Sequence, residues 1–461
     1  MRWHRGQLFH VSGSPPLSRA AEHLVHVPDG GLLVDDDGLI TWSGAWRERP
    51  DAEAPVSDHP GAYLLPGFVD THLHFPQVHC VDAYGGGNLL DWLDRVVFPS
   101  EARLADPRVS RQAASDFCDR LIGAGTTTSM VFGSQFASAQ EALVAEVQHR
   151  GLRVITGRTI MTVGPESASA LVTDDATAVA LCREEIERWL PSVNAGSPLT
   201  GVALVPRFAL SVEPSTLRAL GELYSEYRAE GLYVTTHLNE NRHEVQEVQR
   251  TFGVRHYLDV YDGLFHPGSQ AGGPSLLGRH TILAHAVHAV DDELMRIVDA
   301  EASVAHCPVS QGFLGSGTLP WRRTQDAGVR VAMGSDIAAG DSWFMPRVLN
   351  ACFKAHMNGP HEHVALDPAE LLHLGTLAGA QALDLDDRIG NLDVGKQADF
   401  VVLDPTRSPA LDAVLSTRAP REDPREDTQA LLFALLMAAD EGAVAETYVS
   451  GRRLLLAGSH D

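Results

Sequence analysis

Apolar, β-prone runs recur along the middle of the chain, between residues 63 and 336. The eight runs are AYLLPGFVDTHLH, TTTSMVFGS, LRVITGRTI, GVALVPRFAL, LYVTTHLNE, HTILAHAVH, ASVAHCPVS and VRVAMGSD. Most are separated by amphipathic stretches such as EALVAEVQHRG, in which apolar residues recur at helical spacing. Strands of this kind that alternate with helices predict a parallel sheet covered on both faces. Eight such units predict an α/β fold with a (β/α)8 barrel over residues 63–384. The alternative is an open doubly wound sheet, but its GxGxxG fingerprint is missing after the first run.

The two ends of the chain have a different pattern. Residues 1–62 contain GLLVDDDGLITWSG, in which Asp37 and Gly38 form a turn signal between alternating runs. After residue 385, IGNLDVGKQADFVVLD and AETYVSGRRLLLAG again have strand and turn character. Neither end alone buries much apolar surface, so we expect residues 1–62 and 385–461 to form one small β-sandwich domain beside the barrel. The Pro- and charge-rich stretch PALDAVLSTRAPREDPRED (residues 409–427) is predicted to be an exposed loop.

Length, charge and cysteine usage narrow the class of protein. A chain of 461 residues is long enough for one large enzyme domain and a smaller one. Its net charge of -24 argues against a nucleic-acid partner or an anionic membrane surface. The N-terminus has no apolar core of signal-peptide length, and the longest apolar run (residues 430–439) is too short to span a bilayer. Five dispersed cysteines without a CxxC pair indicate reduced thiols and therefore a cytoplasmic protein.

The stretch FVDTHLHFPQ places two histidines at the end of the first predicted strand. Because side chains alternate between the faces of a strand, His72 and His74 project to the same side. Two imidazoles aimed the same way suit two ligands of one metal ion. A polar strand edge is the alternative interpretation of this pair.

Other predicted strands also end in side chains that carry chemistry, which is where barrel enzymes hold their active sites. These residues are Arg207 (fourth strand), His237 and Glu240 (fifth), His285 (sixth) and Asp336 (eighth). Three histidines and one carboxylate among the strand ends form a ligand set for one divalent ion, with a position open for water. That set is His72, His74, His237 and Asp336. His288 and His306 are instead expected to have structural or supporting roles.

These motifs resemble those of a known superfamily. The segments PGFVDTHLHFPQ, THLNEN, ILAHAVH and GSDIAAG are similar to signature segments of the amidohydrolase superfamily. HFPQ together with PRF, and the block LLDWLDRVVFPSE, resemble its guanine deaminase members, and the likeness runs nearly end to end. The resemblance implies hydrolytic deamination of guanine to xanthine and ammonia, a small purine substrate and a homodimer.

The catalytic residues follow partly from chemistry and partly from this resemblance. A bound metal ion lowers the pKa of its water to about 7, and Asp336 can both ligate the metal and take that water's proton. His285 is expected to orient the water and stabilise the intermediate. The resemblance implies that Glu240 protonates the ring nitrogen next to the attacked carbon.

Substrate recognition is carried over from the resemblance. It implies that Gln77 and Arg207 hydrogen-bond the amide edge of a purine-like ring and that Phe208 packs on the ring. An amide and a fork of donors suit a planar heterocycle that carries a carbonyl group.

The lysine content bears on the number of metal ions. Binuclear members of the superfamily generally bridge their metals with a carboxylated lysine at the end of the fourth strand. The two lysines of this chain, Lys354 and Lys396, both follow Asp336, and Arg207 cannot bridge cations. One Zn2+ per chain is therefore expected, and imidazole and carboxylate ligands would also accept Fe2+.

Three segments depart from the guanine deaminase pattern. They are FGSQF (residues 132–136), MTVGPE (residues 161–166) and CPVSQ, which ends in Gln311. All three are expected at the rim of the pocket, so the alternative substrate is another aminated heterocycle: 8-oxoguanine, another purine, a pterin or a triazine. A second hypothesis is a related chemistry on the same site, such as hydrolysis of a cyclic amide or dechlorination of a triazine, although the missing bridging lysine argues against binuclear cyclic amidases. A third hypothesis is a catalytically silent assembly protein, but such relatives typically lose metal ligands, which are all present here.

Overall fold

The computed structural model describes residues 1–80, 89–194, 199–265, 272–359 and 363–458. The strands of these residues are Arg2–Val11 (β1), Leu24–Val34 (β2), Ile40–Ala45 (β3), Val56–Pro66 (β4), Phe68–His74 (β5), Thr126–Phe132 (β6), Arg153–Gly157 (β7), Thr159–Ile160 (β8), Leu199–Pro206 (β9), Tyr233–Leu238 (β10), Thr281–His285 (β11), Ser303–His306 (β12), Arg330–Met333 (β13), Phe400–Leu403 (β14), Val444–Val449 (β15) and Arg452–Arg453 (β16).

The α-helices of the described residues are Leu89–Trp92 (α1), Phe98–Ala102 (α2), Pro107–Gly123 (α3), Ala137–Arg150 (α4), Asp175–Asn194 (α5), Pro214–Tyr227 (α6), Arg242–Phe252 (α7), Leu258–Tyr261 (α8), Asp291–Asp299 (α9), Pro308–Phe313 (α10), Trp321–Asp326 (α11), Met345–Met357 (α12), Pro368–Gly375 (α13), Leu377–Ala382 (α14), Pro409–Thr417 (α15) and Pro424–Ala438 (α16). A π-helical segment, Leu93–Val97, joins α1 to α2.

The middle of the chain forms a parallel barrel. Strands β5, β6, β7, β9, β10, β11, β12 and β13 are neighbours in that order, and the short β8 also pairs with β9. Two hydrogen bonds link the ends of this sheet, from Asp336 N to His72 O at 2.8 Å and from His74 N to Ile337 O at 3.1 Å. Every residue of β5 and of β6 is buried, as expected for strands covered on both faces. The prediction of a (β/α)8 barrel is confirmed.

Both ends of the chain contribute to a second, mixed sheet. Its strand order is β16-β15-β14-β4-β1-β2-β3, so strands from the first 66 residues lie beside strands from beyond residue 399. The turn around Asp37 and Gly38 joins β2 to β3 as an antiparallel pair, and Gly38 has a φ of +80°. A small β-domain built from both ends is therefore confirmed. The division into residues 1–62 with 385–461, and 63–384, stays a prediction.

The prediction of a loop over residues 409–427 was wrong, because this stretch contains helix α15 and the first turn of helix α16. Each helix starts with proline in its first turn, where a missing N–H costs nothing. Asp423 caps α16 by accepting hydrogen bonds from Arg425 N at 2.7 Å and Glu426 N at 3.1 Å. The apolar run of residues 430–439 lies largely in α16, whose buried leucines pack it against α12 and α13. Within the described residues, no helix is long and apolar enough to cross a membrane.

Candidate active site

The predicted metal ligands meet at the carboxyl end of the barrel. His72 Nε2 lies 3.3 Å and His74 Nε2 lies 3.2 Å from Asp336 Oδ1. One ligand atom from each of four buried or partly buried side chains falls within 4.8 Å of the others, and these side chains are His72, His237, His285 and Asp336. Three predicted ligands thus share this tight group with His285, and His74 adjoins it through Asp336.

The hydrogen bonding of these imidazoles fits a cation. Among the residues that the structure describes, neither ring nitrogen of His72 or of His285 has a hydrogen-bond partner, although both rings are fully buried. A buried polar atom without a partner is costly, and a metal ion would satisfy it. His237 Nδ1 donates a hydrogen bond to Arg207 O at 2.5 Å, so Nε2 is the ring nitrogen available to a metal ion. The donors present therefore suit one divalent ion held by nitrogen and carboxylate ligands.

The backbone is strained where two of these side chains leave their strands. His285 has a φ of +76° and Asp336 a φ of +53°, values that side chains with a Cβ rarely adopt. The backbone at Gly334 also packs closely against His72, and a Cβ at this position would clash with the Cβ of His72 at 2.8 Å. The glycine lets the segment after β13 lie against β5 and brings Asp336 to the cluster.

Two carboxyl groups at the site have opposite protonation preferences. Burial opposes charge on Asp336, but the adjacent imidazoles of His72 and His74 hold its pKa well below the ordinary value. Burial, and then the charge of Asp336, raise the pKa of Glu240 well above the ordinary value. Glu240 is fixed by Ser316, whose hydroxyl donates to Oε1 at 3.2 Å, and its Oε2 lies 3.5 Å from His285 Nε2. These opposite directions favour the ionised form of Asp336, which suits a base, and the protonated form of Glu240, which suits a proton donor.

The histidines are neutral in this environment. Burial lowers the pKa of His285 to about 3. Burial, followed by the neighbouring imidazoles, lowers the pKa of His237 well below 6.5. Neutral imidazole is the form that binds a metal.

A cavity with about 420 Å3 of empty space opens beside the cluster. Its lining includes all three predicted substrate-binding residues, and comprises His74, Gln77, Leu89, Trp92, Leu93, Arg207, Phe208, His237, Glu240, Glu244, Leu314, Asp336 and Ala339. Residues 89–102, which contain α1 and α2, belong to a separate apolar cluster with Met161 and Leu314 and cover this side of the cavity. The structure thus places the metal cluster, Glu240 and the polar pair Gln77 and Arg207 around one space.

Three buried carboxyl groups at the site were missed by the sequence reasoning: Asp70, Glu101 and Glu244, the last of which lines the cavity and accepts a hydrogen bond from the Tyr257 hydroxyl at 2.7 Å. Asp70 Oδ1 accepts from His72 N at 3.2 Å and from Ser335 N at 3.0 Å, and so joins β5 to the segment that carries Asp336. Glu101 accepts hydrogen bonds from both Arg207 and Gln77. Asp70 lies in the motif FVDTHLH and Glu101 ends the segment FPSE. The sequence around these two residues gives no sign of their hydrogen-bond partners, most of which are distant in the chain.

His288 and His306 have hydrogen-bonded positions outside the cluster. His288 Nε2 lies 2.9 Å from Ser316 O, so this ring supports the residue that contacts Glu240. His306 Nε2 lies 3.1 Å from His356 Nε2 within the core, and the Cys352 thiol is close enough to complete a second group of ligand-type atoms. A hydrogen bond between neutral imidazoles accounts for that short distance.

Comparison with known proteins gives the family. The model of the Amidohydrolase family matches residues 63–454. The chain belongs to the amidohydrolase family. This chain is similar to a "probable guanine deaminase" of Deinococcus radiodurans. The two proteins are 40% identical over 447 residues, and the match covers 94% of this chain and 95% of the relative.

Two further proteins agree with this finding. A guanine deaminase of Escherichia coli strain K12 is 35% identical, with 92% of this chain and 91% of the relative covered. A solved structure of E. coli guanine deaminase superposes with a TM-score of 0.86 and 31% identity, and covers 99% of both chains. The resemblance of this amidohydrolase to guanine deaminases, first seen in its motifs, is confirmed.

Proposed function

We propose that this amidohydrolase catalyses the hydrolytic deamination of guanine to xanthine and ammonia. One observation carries the proposal: the ligand-type atoms of His72, His237, His285 and Asp336 converge beside a cavity that is also lined by Glu240 and Arg207. The similarity to guanine deaminases over more than nine-tenths of the chain supports this substrate.

The metal is proposed to be one Zn2+ per chain, with Fe2+ as the alternative ion. His72, His74, His237 and Asp336 would hold it, with the unpartnered nitrogens of His285 adjacent. When bound, the ion supplies a water of lowered pKa and polarises the reacting centre. A single ion is supported by the position of both lysines after Asp336 in the chain, far from the end of β9.

The protein's own groups perform the proton transfers. Asp336, ionised and next to two imidazoles, takes a proton from the attacking water. Glu240 gives its proton to the ring nitrogen beside the attacked carbon, where it stays in the product, and Asp336 passes the proton it took from the water to the departing amino group. The remaining hydroxyl proton of the former water restores Glu240 as the new carbonyl forms. The C–N bond breaks with release of ammonia. His285, within 3.8 Å of Asp336 Oδ2, orients the water and stabilises negative charge on the oxygen.

Gln77, Arg207 and Phe208 are proposed to bind the ring. Phe208 is 8% exposed and lines the cavity, where its ring offers a flat apolar surface. Gln77 and Arg207 present N–H donors to a ring carbonyl.

The proposal also covers the oligomeric state, location, partners and domain bounds of the protein. A homodimer follows from the resemblance alone, and the dispersed cysteines support a cytoplasmic location. The acidic charge supports a protein without a nucleic-acid or membrane partner. We also propose residues 63–384 as the catalytic domain, with 1–62 and 385–461 as the small one.

A second candidate substrate is another aminated heterocycle. It is favoured by two residues of the unusual rim segments: Gln135 Oε1 and both polar atoms of Gln311 are buried without hydrogen-bond partners in the part of the chain that the structure describes. A ring that carries an additional polar group would offer such atoms a partner.

The test is ammonia release from guanine, 8-oxoguanine, adenine, cytosine, pterins and aminotriazines by protein of known metal content. We expect rapid release from guanine. Turnover of another ring with guanine inert would keep the mechanism and reassign the substrate. No turnover and no bound metal after reconstitution would favour the silent assembly protein.

A further inference from the structure

Glu101 is a buried carboxylate that the proposed reaction does not use. It lies on α2, is 1% exposed, and is surrounded by donors from three other parts of the barrel. We propose that Glu101 is the positioning residue for substrate recognition: it holds Gln77 and Arg207 so that both present only N–H donors to the ring. This inference rests on the proposed function and assigns the origin of its specificity.

The contact with Arg207 is a two-pronged ion pair. Arg207 Nη1 donates to Glu101 Oε2 at 2.6 Å, and Arg207 Nη2 donates to Glu101 Oε1 at 3.0 Å. Both side chains are almost fully buried, so the pair is shielded from solvent. Paired hydrogen bonds of this kind fix the plane of the guanidinium as well as its position. Phe98, also on α2, packs its ring 5.1 Å from the guanidinium carbon and constrains it further.

The contacts of Gln77 set the direction of its amide. Gln77 Nε2 donates to Glu101 Oε1 at 2.8 Å, and Gln77 Oε1 accepts from Ala338 N at 3.0 Å. A carboxylate can only accept and a backbone N–H can only donate, so these two partners permit one orientation of the amide. The amide oxygen is occupied by Ala338, and a second N–H remains on Nε2.

The negative charge of Glu101 also suits its contact with Arg207. Burial disfavours an ionised Glu101, but the adjacent Arg207 guanidinium outweighs it and lowers the pKa of this carboxyl below its ordinary value. The carboxylate therefore balances the Arg207 charge at neutral pH. A neutral heterocycle then binds without leaving an uncompensated guanidinium in the buried site.

These contacts leave Gln77 and Arg207 with only N–H donors to present to a substrate. The remaining N–H groups of Gln77 and Arg207, two residues that line the cavity, match an acceptor such as a ring carbonyl. A ring with an amino group at that position would place donor against donor, which leaves buried polar groups unpaired. Gln135 Nε2, 3.5 Å from Glu101 Oε2, ties one of the unusual rim segments to the same carboxylate.

The experiment compares Glu101→Gln with a matched control, Asp399→Asn. Asp399 forms an equally buried two-pronged pair with Arg153, at 2.6 and 3.1 Å, that links the small sheet to the barrel. Both variants leave a buried arginine without its counter-charge, but only Glu101→Gln alters the cavity. The measurements are kcat and KM for guanine and for 2,6-diaminopurine, metal content, and unfolding by denaturant.

We expect Glu101→Gln to raise KM for guanine by about 10- to 100-fold, with kcat changed less and metal content unchanged. The preference for guanine over 2,6-diaminopurine should also fall, because the amide of Gln77 is free to rotate. Asp399→Asn should lower stability and leave KM and this preference at wild-type values. In an Arg207→Ala background, Glu101→Gln should have a smaller effect than in the wild type.

Equal effects of the two variants on KM, or an unchanged ring preference in Glu101→Gln, would overturn the proposal. If the wild type deaminates another ring of the panel, the same comparison is made on that ring. If it deaminates none, the proposed function fails, and dissociation constants for xanthine across the same variants decide the role of Glu101. Binding of xanthine that is unaffected by Glu101→Gln would then reject it.

Discussion

Glu240 and Asp336 are buried carboxyl groups whose surroundings drive their pKa values apart. Two adjacent imidazoles hold the pKa of Asp336 below its ordinary value despite burial, whereas burial, and then the charge of Asp336, raise the pKa of Glu240, which accepts a hydrogen bond from the Ser316 hydroxyl. Pairs of titratable groups separated in this way commonly divide the roles of base and acid. The geometry therefore supports Asp336 as the base and Glu240 as the proton donor.

Replacement of Glu240 tests this division at the scale of one atom. Glu240→Gln keeps the size of the side chain but has no acidic proton, so we expect kcat to fall by about 10²- to 10⁴-fold. Metal content should stay at the wild-type level, because Glu240 is not among the proposed ligands.

The measurement is steady-state ammonia release together with metal analysis of the same sample. Glu293→Gln is the control, since Glu293 is also a buried glutamate but binds backbone N–H groups of Val290 and Leu258. A kcat near that of the wild type in Glu240→Gln would remove its role as proton donor.

At the scale of elements, the ends of the strands and the starts of the helices decide where function lies. Parallel strands of a barrel bring their carboxyl ends to one face, which gathers β5, β10, β11 and the segment after β13 around one cluster. The cover of residues 89–102 brings Glu101 to that face. Helix α16, on the other hand, shows how a proline-rich stretch can be a helix start when an aspartate caps it.

The cap of α16 provides a test of element stability. Asp423→Ala removes the acceptor for Arg425 N and Glu426 N, so we expect the free energy of unfolding to fall by about 1 kcal/mol. Urea unfolding measures the change, and ammonia release should be unaltered because α16 is remote from the cluster.

The exposed neighbour Glu422 provides the control, as Glu422→Ala changes the charge equally without removing the cap. An equal loss of stability in both variants would attribute the effect to charge and not to the helix cap.

At the scale of the whole molecule, burial keeps several histidines neutral. Burial lowers the pKa of several histidines outside the metal cluster, among them His4 to about 3 and His10, His356 and His373 to about 4. The unfolded chain protonates such residues near pH 6.5 while the folded chain does not. Each one therefore contributes stability above pH 6.5 that is lost as the pH falls toward its folded pKa.

His373 offers a measurable case, because its Nε2 lies 3.1 Å from Pro15 O and joins α13 to the N-terminal segment. Glutamine can keep that hydrogen bond but does not titrate. Relative to the wild type, His373→Gln should gain up to about 3 kcal/mol in the free energy of unfolding as the pH falls from 6.5 to 4. Urea unfolding at several pH values measures this difference.

The exposed His243 gives the control through His243→Gln, which removes a histidine at the surface. A difference between His373→Gln and the wild type that does not change with pH would show that His373 titrates alike in the folded and unfolded chains.

Three features could be predicted from the sequence: the barrel, the joining of the two chain ends in a second sheet, and the residues that meet at the strand ends. The reason is local: burial on both faces produces continuous apolar strands, and a parallel barrel places every strand end on the same face. His72, His74, His237 and Asp336 could therefore be assigned to one place before their distances were known.

Contacts between residues that are distant in the chain could not be predicted from the sequence and are visible in the folded structure. Glu101 and Arg207 are 106 positions apart, and no spacing rule predicts that a short helix on the cover supplies a carboxylate to the end of β9. His285 was expected at a strand end near the metal, and the structure adds that its ring belongs to the tight group of ligand-type atoms. Such pairings depend on the packing of whole elements, since a buried charge has to find its partner in space and not along the chain.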